Sequence, residues 1–148
     1  MEKLVHSASQ DTTIELGRKF SEFLQPGYVV VLTGELGAGK TTFTKGIAEG
    51  LGITSTVTSP TFVISKEYRT SRGFDLIHID AYRLQGSTDI QDLGVEGTIN
   101  NAVVIAEWGK GLFETLGNLI NVEIQIEDEQ SRLFKFSSSV VNLESLSL

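Results

Sequence analysis

Apolar positions along the chain recur in two periods, and the switches between them mark the elements. Leu16, Phe20, Phe23 and Leu24 recur at helical spacing. Ser9 is a good N-cap for that helix, and Pro26-Gly27 ends it. Residues 28–33 then carry the unbroken run Val29, Val30, Val31 and Leu32, the pattern of a buried strand. A second helix over 41–50 has Phe43, Ile47 and Leu51 on its inward face and is stopped by Gly50 and Gly52.

Residues 54–61 are rich in hydroxyls and broken by Pro60, which makes them a loop. On either side of the polar turn 69–73, residues 62–68 and 74–80 alternate as an antiparallel hairpin would. Ser87 and Asp89 give residues 87–93 the character of a helix start, and the stretch 94–97 interrupts it. Residues 101–107 form a second buried strand, and Leu112, Phe113 and Leu116 predict a helix within 110–119. Alternation over 120–126 and 132–137 around the acidic turn 127–131 predicts a terminal β-hairpin. The serine-rich end, 137–148, reads as a weakly ordered tail. A βαβ pattern next to hairpins predicts the α/β class with a mixed sheet, and 148 residues with no linker or repeat fit a single domain.

Composition narrows the function. With 19 acidic against 12 basic residues the net charge is −7, and the basic residues are scattered. Such a chain lacks the positive field that holds a polyanion, so any RNA role is expected only through a partner. There are no cysteines, hence no disulfides or thiolate metal sites. No apolar run approaches the about 20 residues needed to span a bilayer, and no basic start leads into an apolar segment; a cytoplasmic protein without membrane contact is expected.

Chemistry concentrates after the first strand. Gly34, Glu35, Leu36, Gly37, Ala38, Gly39, Lys40 and Thr41 fit G-x-x-x-x-G-K-[ST], in the strand-to-helix setting that this phosphate loop requires. Backbone N–H groups and the helix N-terminus suit an anion, Lys40 adds a full positive charge, and the Thr41 hydroxyl suits Mg²⁺. The expectation is therefore a three-layer P-loop NTPase fold with a mixed, largely parallel sheet. Asp80 and Glu107 each end an apolar strand, where a carboxylate reaches the sheet edge and can meet metal or orient water. Ser59 and Thr61 lie in a loop suited to sensing a γ-phosphate, while a plain polar connection is equally compatible. From the residues alone, His78 reads as a satisfied structural histidine rather than a metal ligand, Thr13 as a packing residue with an approach to a nucleotide base left open, and Arg132 as a solvated arginine with an adenine or phosphate contact left open. Trp108 caps the core or shapes the site.

Taken together, the loop through Thr42, Ser59-Pro60-Thr61-Phe62, His78-Ile79-Asp80-Ala81-Tyr82-Arg83-Leu84 and Glu107-Trp108-Gly109 resemble the TsaE (YjeE) family of small bacterial ATPases. The resemblance covers residues from about 9 to 136. It implies an Mg²⁺-dependent ATPase that binds ATP and works with the TsaD and TsaB proteins on the threonylcarbamoyladenosine modification of tRNA. It also implies roles for residues: Lys40 and the loop glycines on the phosphates, Thr41 on Mg²⁺, Thr42 supporting the phosphate site. Asp80, Glu107 and Trp108 fall at the family's positions around metal and hydrolysis, and Thr13 and Arg132 fall near the nucleotide. Tyr82 and Arg83 belong to the same motif, on the side of partner or switch contacts. Ala81 departs from the larger apolar residue frequent in the family.

Other functions share the loop. A small-molecule or nucleoside kinase would need an acceptor pocket and usually a basic lid, and no arginine-rich lid is evident. A GTPase would carry an N-K-x-D segment, which is absent. A subunit whose assembly is gated by nucleotide binding, with hydrolysis incidental, stays open.

Overall fold

The apolar run after Pro26-Gly27 becomes the middle strand of seven. In the computed structural model, which describes residues 1–35, 37–57, 65–80, 99–107 and 117–148, one sheet has the order β1-β7-β6-β2-β5-β4-β3. These strands are β1 (Glu2–Ser7), β2 (Tyr28–Gly34), β3 (Ser65–Arg69), β4 (Asp75–Asp80), β5 (Ala102–Glu107), β6 (Asn118–Ile126) and β7 (Arg132–Ser137). The four central strands, β6, β2, β5 and β4, run parallel. β1, β7 and β3 pair antiparallel at the flanks. The mixed sheet and both hairpins agree with the alternation in the sequence.

Every residue of β5 is buried, as expected for a parallel strand covered on both faces. On one face α1 (Gln10–Phe23) and α2 (Lys40–Gly50) cover Val30, Leu32, Leu76, Val103, Ile105, Ile120 and Val122. The opposite face buries Val29, Val31, Ile77, Ile79, Val104 and Ala106. The helix expected over 87–93 and residues 110–116 of the one expected within 110–119 lie outside the described residues. Phe20, Phe43, Phe134 and Phe136 meet under the first layer, with ring centroids 5.1 to 6.3 Å apart.

α1 begins as expected: Ser9 Oγ accepts from the Thr12 backbone N–H at 3.1 Å. It crosses α2 at backbone distance because Gly46 has no side chain; a Cβ there would stand 2.2 Å from the Ile14 carbonyl oxygen. This close crossing sets the N-terminal turns of the two helices side by side, next to the end of β2.

Three expectations are corrected. β1 has no counterpart in the sequence reading, because its Glu2, Lys3 and His6 hide a strand that is secured only by pairing with β7. Residues 118 and 119, read as the end of a helix, begin β6 instead: the Asn118 N–H bonds the Gly27 carbonyl at 3.0 Å, and Leu119 pairs with Val29. The end of the chain, read as a frayed tail, buries Val141, Leu143 and Leu146 in the main core. Its serines gave the contrary impression, but Ser138 is buried and donates to the Leu119 carbonyl at 2.7 Å.

Candidate functional site

A glycine loop joins β2 to α2. Gly34 closes the strand, the Ala38 N–H bonds the Glu35 carbonyl at 2.9 Å, and α2 starts at Lys40. Gly37 and Gly39 stand at φ of 82° and 108°, angles that L side chains rarely adopt. Gly39 is also the N-cap of α2 and brings no side-chain cap, and a helix N-terminus of this kind points backbone N–H groups at an anion.

Lys40 folds back over this loop. Its ammonium donates to the Gly34 carbonyl at 2.6 Å and the Glu35 carbonyl at 3.1 Å, and the residue is buried. Burial lowers its pKa below 10.5, and the charge of Glu107 opposes that shift. Thr41 and Thr42 follow in the first turn of α2.

The two acids come together as their strand ends predicted. Asp80 and Glu107 are register partners on β4 and β5, and Glu107 is also level with Leu32 on β2, two residues before Gly34. Alternation puts both carboxylates on the α1/α2 face, the side from which α2 rises. Glu107 is buried and Asp80 partly so. His78 departs from the satisfied histidine expected: it is fully buried, and neither ring nitrogen has a hydrogen-bond partner among the described residues. Its Nε2 is 3.3 Å from Glu107 Oε2, near enough for charge to act but without hydrogen-bond alignment.

On the other side of β2 the loop borders a cavity of about 280 Å³. Gln10 and Thr13 from α1, Gly37, Ala38 and Gly39, Thr42, Glu129 and Gln130 from the β6–β7 turn, and Arg132 at the start of β7 line it. Thr13 is thus a wall of this cavity as well as a packing residue. Its hydroxyl lies 2.7 Å from Ser7 Oγ. Because Ser7 Oγ donates its proton to the Ser9 carbonyl at 3.0 Å, Thr13 is the donor in that pair.

Arg132 is not the solvated arginine that the residues alone suggested. Its Nε donates to the Ala38 carbonyl at 3.1 Å and an Nη to the Gly37 carbonyl at 3.3 Å. The other Nη bonds the Asp128 and Ser131 carbonyls at 2.8 and 2.9 Å. The turn itself is tied by the Asp128 carboxylate, which accepts from the Gln130 and Ser131 N–H groups at 2.9 and 2.8 Å. Those bonds, that of Ser131 foremost, hold the Asp128 pKa below its usual value.

A larger cavity, about 520 Å³, lies between α1 and the end of the chain, away from the loop, so size does not single out the site. Leu36, Ser59, Thr61, Tyr82, Arg83 and Trp108 lie outside the described residues. Sequence reasoning missed Ser7, Gln10, Glu129 and Gln130. Gln10 carried a signal, one helical turn before Thr13; Ser7 carried none, because its strand was not foreseen.

A central strand ending in a glycine loop, a buried lysine opening the next helix and two acids on the neighbouring strand ends define an α/β protein of the glycine-loop class. Within that class the chain belongs to the TsaE family: the sequence model of threonylcarbamoyl adenosine biosynthesis protein TsaE matches residues 7–134. It is similar to the tRNA threonylcarbamoyladenosine biosynthesis protein TsaE of Streptomyces coelicolor, 48% identical over 104 residues, 69% of this chain and 70% of that one. The protein of the same name from Bacillus subtilis is 42% identical over 111 residues, 74% of this chain and 68% of that one. Among solved structures, the crystal structure of Bacillus subtilis YdiB superposes with a TM-score of 0.78 at 33% identity, covering 96% of this chain and 88% of that one.

Proposed function

We propose that this chain is an Mg²⁺-dependent P-loop ATPase that serves tRNA threonylcarbamoyladenosine biosynthesis together with the TsaD and TsaB proteins. The observation that carries the reading is the buried Lys40 at the head of α2, standing between a glycine loop and the register pair Asp80 and Glu107. The pathway follows from the names of the relatives; the chemistry follows from the site.

The loop and the first turn of α2 take the β- and γ-phosphates, and Lys40 exchanges its two carbonyl partners for phosphate oxygens. The acids lie on the β5 side of the loop and the cavity on the β6–β7 side. That division orients the ligand, with the γ-phosphate toward Glu107 and the nucleoside toward Gln10, Thr13 and Arg132. Glu107, buried beside the loop, orients the attacking water, while Lys40 neutralises charge that develops on the β–γ bridging oxygen.

The donor set fits magnesium. The Thr41 hydroxyl and two carboxylates are hard oxygen ligands. Mg²⁺ commonly takes one or two carboxylates plus substrate phosphates. When bound, it supplies positive charge to the phosphate oxygens.

Turnover of the chain alone is slow, since stabilisation by an arginine supplied in trans can be worth about 10³ to 10⁵ in rate. The deciding experiment is phosphate release from ATP with and without Mg²⁺, for the wild type and Lys40→Ala, alone and with TsaD and TsaB. Magnesium-dependent release that the partners raise and Lys40→Ala abolishes supports the reading. Equal release by Lys40→Ala, or a phosphorylated nucleoside in place of free phosphate, overturns it.

A further inference from the structure

β4 carries an imidazole where its packing asks for an aliphatic side chain. By alternation His78 shares a face with Leu76, and its neighbour across the ladder on β5 is Ile105; both are wholly buried apolar residues under α1 and α2. His78 is as buried as they are, and both its ring nitrogens lack a hydrogen-bond partner among the described residues. A polar group in such a place costs stability that a leucine would not, so its presence calls for a reason. Glu107 stands within ion-pair distance of the ring, its Oε2 3.3 Å from Nε2.

We propose that His78 is the positioning residue of Glu107. In the neutral ring Nε2 carries the proton, and a small rotation of ring or carboxylate aligns Nε2–H with Oε2. Glu107 is then held by one oxygen from beneath the sheet edge, leaving Oε1 to meet water or metal. The arrangement follows the general rule that a working carboxylate is itself hydrogen-bonded, and that its orienting partner matters to activity. The proposal rests on Glu107 being the carboxylate that meets water, and its test has an arm that does not depend on hydrolysis.

The chain has two histidines, so nitrogen-15 spectra of the rings are assigned with a His6→Gln variant. The expected result is a His78 ring protonated at Nε2 whose resonances shift in Glu107→Gln while those of His6 stay in place. A ring protonated at Nδ1, or resonances indifferent to Glu107→Gln, overturns the proposal without any variant at His78 having to fold. In the second arm, His78→Leu lowers kcat about 10- to 100-fold with KM for ATP unchanged. His78→Gln, which keeps an N–H donor near the position of Nε2, recovers most of that loss. Equal kcat in both variants, or equal loss in step with thermal stability, means a structural role only and overturns it. If Glu107→Gln turns over ATP like the wild type while the spectra show the coupling, the pairing stands and the role given to Glu107 in hydrolysis falls.

Discussion

Arg132 and Ala38 are joined across the sheet edge by a 3.1 Å hydrogen bond from the guanidinium Nε to the backbone carbonyl. With the bond to the Gly37 carbonyl, it makes the β6–β7 turn a brace for the glycine loop. The guanidinium holds the loop carbonyls, so under the proposed function Arg132 would act on a bound anion through that backbone. A lysine keeps the charge but cannot form the fork. Arg132→Lys should therefore weaken ATP binding nearly as much as Arg132→Ala, about tenfold each, consistent with the ~1.5–3 kcal/mol of a charged hydrogen bond discounted for partial exposure. Titration with ATP would show it; a lysine variant that binds like the wild type would mean direct phosphate contact instead.

The α1/α2 crossing predicts a stability defect with a functional side effect. In Gly46→Ala the new Cβ meets the Ile14 carbonyl oxygen at 2.2 Å, which backbone must move to relieve. Overpacking of this kind costs about 1–3 kcal/mol, occasionally more. For a domain of this size a melting-temperature drop of roughly 2–4 °C per kcal/mol is expected. Because Thr13 rides on α1 beside Gly39, ATP affinity should fall as well. A variant that melts with the wild type would show that the helices are not at backbone distance in solution.

How much of this was legible in the sequence depended on how local the cause was. The β2 run, the Ser9 cap and the glycine loop are written in adjacent residues, and they fell where expected. So did the strand-end acids, because each closes an apolar run that carries it to the end of a buried strand. β1 and the final residues were illegible for the opposite reason: each is held by a partner far along the chain, β1 by β7 and Leu143 by the main core. Arg132 was misread on the same ground, since its partners, the carbonyls of Gly37 and Ala38, are distant in sequence and leave no pattern.

The end of the chain gives a direct test of that long-range packing. Leu143 and Leu146 are 1% and 2% exposed, and the Met1 ammonium donates to the Ser138 carbonyl at 3.0 Å. Fully burying a leucine is worth about 1.5–3 kcal/mol. Truncation after Ser137 should thus remove several kcal/mol, measured as a lower urea midpoint, with a smaller m-value if the truncated chain exposes less new surface on unfolding. An unchanged midpoint would restore the view of these residues as a loose tail.

Lys40 predicts two pH trends of opposite sign. In the free protein burial holds its pKa below the unfolded 10.5, so the unfolded chain binds more protons in that window. Stability should therefore rise with pH from the lowered value up to the ordinary one, as the cost of a buried charge is relieved. A bound triphosphate does the reverse to the lysine, favouring the ammonium and raising its pKa. Below the free-state pKa the group is charged with or without ATP and adds no pH dependence to binding. Above it, binding takes up a proton, and affinity falls as pH rises until the bound-state pKa is passed. Calorimetry in alkaline buffers of differing ionisation enthalpy would register that uptake. Lys40→Arg, charged throughout, should lose both trends. Proton release on binding, or an uptake that persists in Lys40→Arg, would show that another group governs the titration.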